Sequence, residues 1–347
     1  MKRISLSVIL TISLLVVGCN TENSGVFIRI SESVEKVDVG AVTLATEDAG
    51  GTLLAHTYNE GLQSYDPATR QWTRLIHPST DLAVIVDAPK TINKDHISSN
   101  GNDLYFATTA NEGEQNLLFK YDASSLPYTA SDYDDSYRII RMAPSADLML
   151  IDDGGTFKVV NTSEAFNASD TDMLASAFAY DEAQLLAISS SIFLVSGFSY
   201  DAGTETYTYQ HKLYDGGSLS INTTVESLFV AMHEDTAGNF VFITNDGDIY
   251  YGSDIASLTK GAETLPLPDT NMSFRTLAVL RNGDDMYVQG AAKNIYKITT
   301  TDGSFTDVSD DFPSDLVNVE IYSFLTTVGG KHYVGTKDNG IIEFDFP

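Results

Sequence analysis

Cysteine is nearly absent. Cys19 is the only one in 347 residues, so no intrachain disulfide can form and the fold must rest on its buried core. Positive charge is also thin: 20 Lys and Arg stand against 48 Asp and Glu, a net charge of −28. Such a surface repels phosphate backbones, which excludes nucleic acid as a partner. After the first nineteen residues no apolar run approaches the length of a membrane-spanning helix. Amphipathic helical periodicity is missing too, which argues against helix bundles and α/β folds. The chain contains no G-x-S-x-G elbow, no phosphate-binding Walker loop, no dinucleotide fingerprint and no HExxH.

What is present starts at the N-terminus. Lys2 and Arg3 precede an apolar run over 4–17, followed by Val16-Val17-Gly18-Cys19. This stretch resembles the lipobox of bacterial lipoproteins. The resemblance implies a signal peptide over 1–18, acylation of Cys19 and a tether over 19–25. Several acyl chains hold a protein at a membrane where one would not. Asn20, in place of Asp, implies the outer membrane of the cell envelope. Loss of Lys2 and Arg3 with the leader takes the charge to about −30.

The remaining chain repeats itself. TYNEGLQSYD (57–66) and TKDNGIIEFD (336–345) share one pattern: a polar turn ending in Gly, an alternating strand, then an aromatic and Asp. Pairs of short strand-like segments recur between them, including FVFIT (240–244) with DIYYGSD (248–254), and MYVQG (286–290) with NIYKITT (294–300). Seven such pairs can be aligned; Gly61 to Gly340 covers 279 positions in six steps of about 46. That period suits a four-stranded propeller blade. Val, Ile, Tyr, Phe and Leu fill the segments, and NEG, DGG, NDG and DNG form turns that need positive φ.

The expected fold is therefore all-β: a seven-bladed β-propeller of four-stranded antiparallel blades over 26–347. The last blade lacks one strand before the chain stops at Pro347, and VFIRISE (26–32) has strand composition without a blade. The expectation is that 26–32 joins the last blade and closes the ring, hiding an otherwise open edge. Residues 42–75 and 321–345 resemble two-component-regulator-type propeller repeats, whose family forms extracytoplasmic sensor domains. DDGGTF (152–157) and TTDGSFTDV (300–308) resemble degenerate sialidase-type Asp boxes, which pin a hairpin between outer strands.

The turns between the two middle strands form one face of a propeller with the inter-blade connections, and ligands usually meet that face. Acidic side chains stand on these turns in six blades, among them Glu60, Glu112, Asp152, Asp153, Asp246, Asp248 and Asp338; the sixth blade has Lys293. Converging carboxylates would suit Ca²⁺, a hard cation preferring oxygen, or a basic partner. Tyr58, Tyr200 and Tyr207 lie near the same turns and could stack on a sugar. His56 and His332, from the second strands of the first and last blades, are expected to be neighbours in a closed ring. The asparagine- and aspartate-rich turns are equally explained by turn chemistry alone.

These features lead to a non-catalytic binding or scaffold module, anchored to the membrane by lipid and meeting a protein, peptide or glycan on one propeller face. The alternative is a carbohydrate-active hydrolase or lyase of propeller fold, which would need paired carboxylates in the central channel.

Overall fold

The computed structural model describes residues 40–58, 61–76, 92–100, 103–108, 118–122, 125–130, 138–144, 146–166, 172–174, 180–268 and 276–347. They form seven separate antiparallel sheets, each of consecutive strands. Blade 1 holds β1 (Val42–Glu47), β2 (Leu53–Thr57), β3 (Gly61–Asp66) and β4 (Gln71–Ile76). Blade 2 holds β5 (Ile92–Ser99), β6 (Leu104–Thr108), β7 (Leu118–Asp122) and β8 (Ser125–Ala130). Blade 3 holds β9 (Arg138–Met142), β10 (Met149–Asp153) and β11 (Thr156–Val160). Blade 4 holds β12 (Glu182–Ser189), β13 (Ile192–Asp201), β14 (Thr206–Asp215) and β15 (Ser218–Asn222). Blade 5 holds β16 (Phe229–Glu234), β17 (Phe240–Thr244), β18 (Asp248–Gly252) and β19 (Thr259–Thr264). Blade 6 holds β20 (Val279–Asn282), β21 (Asp285–Gln289), β22 (Ile295–Ile298) and β23 (Phe305–Asp307), and blade 7 holds β24 (Ile321–Thr326), β25 (His332–Thr336) and β26 (Ile341–Phe344).

The first strand of each sheet packs against the first strand of the next, in the order β1, β5, β9, β12, β16, β20, β24, and β24 packs against β1. The seven sheets therefore form a closed ring: the chain is a seven-bladed β-propeller. Burial follows that geometry. All five residues of β2 and of β17 are buried, whereas the outer strand β4 is mostly exposed. Apolar side chains fill the gaps between successive blades. Leu54 and Leu62 meet Phe106 and Phe119 between blades 1 and 2, and Leu213 meets Phe229 and Phe242 between blades 4 and 5. Each such side chain removed from water contributes roughly 1.5–3 kcal/mol.

The repeated sentence is one repeated hairpin. Thr57 ends β2 and donates its hydroxyl to Gly61 O at 3.1 Å; Thr336 ends β25 and does the same to Gly340 O at 2.9 Å. The next residue then ties the turn to the start of its own blade. Tyr58 N–H donates to Ala41 O, Asn245 N–H to Leu228 O and Lys337 N–H to Glu320 O. Gly61, Gly247 and Gly340 close these turns at φ of 79°, 86° and 71°, a left-handed backbone in which a Cβ is costly.

Among the described residues two blades show three strands instead of four. In blade 3, β11 is followed by a short helix, α1 (Thr162–Phe166). Asp147 accepts hydrogen bonds from both the backbone N–H and the hydroxyl of Ser163, which turns the chain away from β11. Met173 N–H then donates to Val159 O at 2.9 Å, so 172–174 lie along the edge a fourth strand would occupy. Blade 7 shows three strands among the described residues. Residues 26–32, expected to supply its fourth, lie outside the described residues, as do Cys19 and the signal and tether segments.

The described ring closes directly. Ser323 in β24 donates its hydroxyl to Val42 O and accepts from Leu44 N–H, both at 2.9 Å. Gly335 in β25 lies so close to β1 that a Cβ there would sit 2.3 Å from Val42 O. Val328 N–H completes the seam on Glu47 Oε2 at 2.7 Å.

Candidate binding surface

Among the described residues, the middle hairpin of blade 4 has strands about twice as long as its counterparts in the other blades. β13 and β14 are ten residues each and pair without a break from Ile192↔Asp215 to Asp201↔Thr206. In the other blades the second strand is five residues long and ends in a polar residue, buried at Thr57, Thr244, Gln289 and Thr336. Ser196 is the counterpart in blade 4, fully buried. The five pairs beyond it carry the hairpin roughly 17 Å past that level, at about 3.4 Å per residue.

Strand alternation puts four rings on one face of this extension. Phe198 pairs directly with Tyr209, and Tyr200 with Tyr207. Ring centroids are 4.8 Å apart for Tyr200–Tyr207 and 5.3 Å for Phe198–Tyr207. Tyr200 is 43% exposed and Tyr207 57%, while Phe198 and Tyr209 sit lower. Asp201 caps the tip by accepting from Gly203 N–H at 2.8 Å, and Asp181, just before β12, accepts from Tyr200 N–H close to the tip.

The aromatic face abuts blade 5. Burial raises the Tyr209 hydroxyl above the ordinary tyrosine value, and the charges of Asp246 and Glu226 raise it further. Tyr250 is raised for the same reasons, with Lys260 opposing. Asp246 and Glu226 thus lie near Tyr209 and Tyr250, where blades 4 and 5 meet. Asp246 is exposed and accepts from the Ser227 hydroxyl at 2.5 Å.

Several other acidic residues have polar partners of their own. Asp248 pairs with Lys260 at 2.6 Å and accepts from Thr264 Oγ1. Asp153 pairs with Lys158 at 2.5 Å, and Asp152 faces Arg138 at 3.5 Å while accepting from Gly155 N–H. Asp338 is exposed on blade 7, next to Lys337, which pairs with Glu320 at 3.2 Å. Tyr58 is 78% exposed on blade 1. Glu60 and Glu112 lie outside the described residues. Of the expected rim residues, Asp153 and Asp248 thus each have a lysine partner on a neighbouring strand, while Asp246 and Asp338 are exposed. Among the described residues no three His, Cys, Asp or Glu come together as a metal-binding group, so Ca²⁺ finds no preformed cage there.

Two further expectations are corrected. His56 pairs with Thr43 near the end of β2, whereas His332 starts β25 opposite Thr326 and Phe344. With Thr57 matching Thr336, His56 corresponds to Gly335, three residues from His332, so the two histidines stand at opposite ends of their strands. DDGGTF forms the middle hairpin of blade 3, between β10 and β11, rather than an outer one. TTDGSFTDV does lie in an outer hairpin, between β22 and β23.

No family model matches the chain, and no curated protein is similar to it in sequence. Solved structures are similar in fold. YCF48 bound to D1 peptide is 11% identical, with a TM-score of 0.59 over 90% of this chain and 95% of that one. The extracellular domain of the one-component system BT4673 from B. thetaiotaomicron is 12% identical, with a TM-score of 0.52 over 89% of this chain and 38% of that one. The WD40 β-propeller domain of Doa1 is 13% identical, with a TM-score of 0.51 over 89% and 94%. At such identities the likeness speaks for the fold alone.

Proposed function

We propose that this propeller is a non-catalytic binding module of the cell envelope, tethered through Cys19, that captures a protein or peptide on the projecting hairpin of blade 4. One observation carries the reading: Tyr200 and Tyr207 are held as an exposed, cross-strand aromatic pair near the tip of the long hairpin. Rigid tyrosines supply large contact area at low entropic cost, and interfaces are enriched in them. Asp246 and Glu226, whose charges act on Tyr209 lower on the same face, favour a partner with basic groups around an apolar or aromatic anchor. Binding of D1 peptide by a propeller of similar fold agrees with this use of the architecture. The hydrolase alternative wants paired carboxylates in the channel, and the described lining of the central cavity contains neither Asp nor Glu.

The test is site-specific photo-crosslinking in intact cells, with the crosslinking residue at position 207 and, as control, at Glu263 on outer strand β19. A discrete adduct from position 207 and none from 263 supports the reading. Equal labelling at both, or none at either, overturns it.

A further inference from the structure

The centre of the ring carries charge of the sign the rest of the molecule lacks. A cavity of about 160 Å³ is lined by the inner strands of blades 1, 3, 4, 5, 6 and 7 and by the segments that lead into them. Its charged lining residues are Arg141 and Arg281; no carboxylate lines it among the described residues. This in a chain of net charge −28 is the reverse of what composition would place there.

The two arginines are counterparts in the repeat. Arg141 pairs with Leu150, the second residue of β10, and Arg281 with Met286, the second residue of β21. Both stand one residue before the end of their inner strand, in blades 3 and 6, which lie across the ring from each other. Arg141 has Glu182 as a charged neighbour. Arg281 is different. Its Nη2 donates to Met232 O at 3.3 Å, and its Nε–H is buried without a partner among the described residues. No carboxylate lies within ion-pair distance of it among the described residues, and burial lowers it to about 10, which leaves it charged at neutral pH. A desolvated guanidinium with an unused donor is costly unless an anion completes it.

We propose that the central channel binds the carboxylate of a small, partly apolar ligand, with Arg281 as its principal partner and Arg141 across the cavity as the second. A guanidinium offers a planar fork that matches a carboxylate with two parallel hydrogen bonds. Around it the cavity is lined by Leu44, Leu185, Met232, Leu277 and Phe324, which suits a short aliphatic group on the acid. The size admits a free short-chain acid or the terminal residue of a peptide, and both present the same group. This site is separate from the hairpin of blade 4 and does not depend on the function proposed for it.

The test uses the full chain labelled with ¹⁵N-arginine, following the Nε–H resonance of Arg281, assigned by its loss in Arg281→Lys. The probes are butyrate, N-acetyl-alanyl-alanine and the C-terminal amide of that dipeptide. The expected result is a saturable shift of the Arg281 signal with at least one acid, and binding at least tenfold weaker for the amide. Butyrate alone identifies a free small acid as the ligand class; the dipeptide acid alone identifies a peptide terminus. Arg281→Lys should weaken binding about tenfold by losing the fork while keeping the charge. Tyr200→Ser with Tyr207→Ser should leave it unchanged, which separates this site from the hairpin. Equal affinity for acid and amide, or no shift with either acid at millimolar concentration, overturns the proposal; should Arg281→Lys fail to fold, the same comparison is read on whichever arginine Nε–H of the wild-type chain shifts saturably.

Discussion

The Oγ of Ser196 lies 2.9 Å from Nδ1 of His211, both side chains fully buried. The rest of the network fixes the protons. His211 Nε2 faces Val225 O at 2.9 Å, so Nε2 carries the hydrogen and Nδ1 accepts from the serine hydroxyl. Ser196 Oγ in turn accepts from Phe229 N–H at 2.8 Å. The relay runs from the inner strand of blade 5 through blade 4 and back to the segment joining them. It is complete only with neutral imidazole, because a proton on Nδ1 would take away the acceptor that the Ser196 hydroxyl hydrogen uses.

That relay predicts a specific acid sensitivity. Burial lowers His211 to about 4, against an ordinary value of 6.5. For a base lowered on folding, the unfolded chain binds the extra proton between those values, so stability is full above about 6.5 and declines as pH falls towards 4. The stability advantage of wild type over His211→Gln should shrink by about 3 kcal/mol between pH 7 and pH 4. Urea unfolding at several pH values measures it, and parallel curves for the two proteins would contradict the assignment.

The seam between blades 7 and 1 makes a second prediction. A Cβ at Gly335 would fall 2.3 Å from Val42 O and 2.4 Å from Ser323 Oγ, and neither strand can retreat without opening the ring. Gly335→Ala should destabilise by about 2 kcal/mol, in the range of overpacked cores. Ser323→Ala, which leaves Leu44 N–H buried and unpaired, should cost about 1–3 kcal/mol. Hydrogen exchange locates the effect: amides of β1 and β24 should lose protection before those of β12 and β16. Uniform loss around the ring would mean that closure is not the weak point.

Much of this fold is legible in the sequence because one hairpin is written repeatedly. TYNEG and TKDNG carry the same Thr–Gly hydrogen bond, and that recurrence gives the blade count and the strand order. Position within a blade is harder to read. Gly197 looks like the end of a strand, since glycine usually marks a turn, but a Cβ there would meet Tyr180 at 2.2 Å. The glycine is kept for close packing, and the strand continues to Asp201. The acidic turns are visible as acids, but the lysines that neutralise Asp153 and Asp248 stand on adjacent strands and count only once register is fixed. Arg141 and Arg281 read as unremarkable strand residues 140 positions apart. They share a cavity only because the ring closes, which no local pattern announces.

The proposed lipid anchor is tested by one atom. Cys19→Ser replaces the sulfur that acylation requires, and removes the only thiol in the chain. The expected outcome is transfer of the protein from the membrane pellet to the soluble fraction, with the folded propeller unchanged by circular dichroism. Retention in the pellet after a high-salt wash would show that something other than acyl chains holds it, since exposed charge contacts are screened by salt.

The hairpin of blade 4 separates function from stability. Tyr200 and Tyr207 are exposed beyond the blade core, and the backbone pairing of β13 with β14 extends below them to Ile192↔Asp215. Replacing both by serine should therefore change unfolding free energy by no more than about 1 kcal/mol, as for other surface sites and one lost aromatic pair. If the pair anchors a partner, the same double change should lower affinity at least tenfold, because buried tyrosines at an interface each account for more than about 1 kcal/mol. Phe229→Ala should do the opposite. It removes a fully buried ring between blades 4 and 5, costs about 3–5 kcal/mol, and leaves affinity unchanged in the fraction that remains folded. Denaturation and binding measured on the same preparations would expose a hairpin whose tyrosines merely support the fold, for then the two losses would move together.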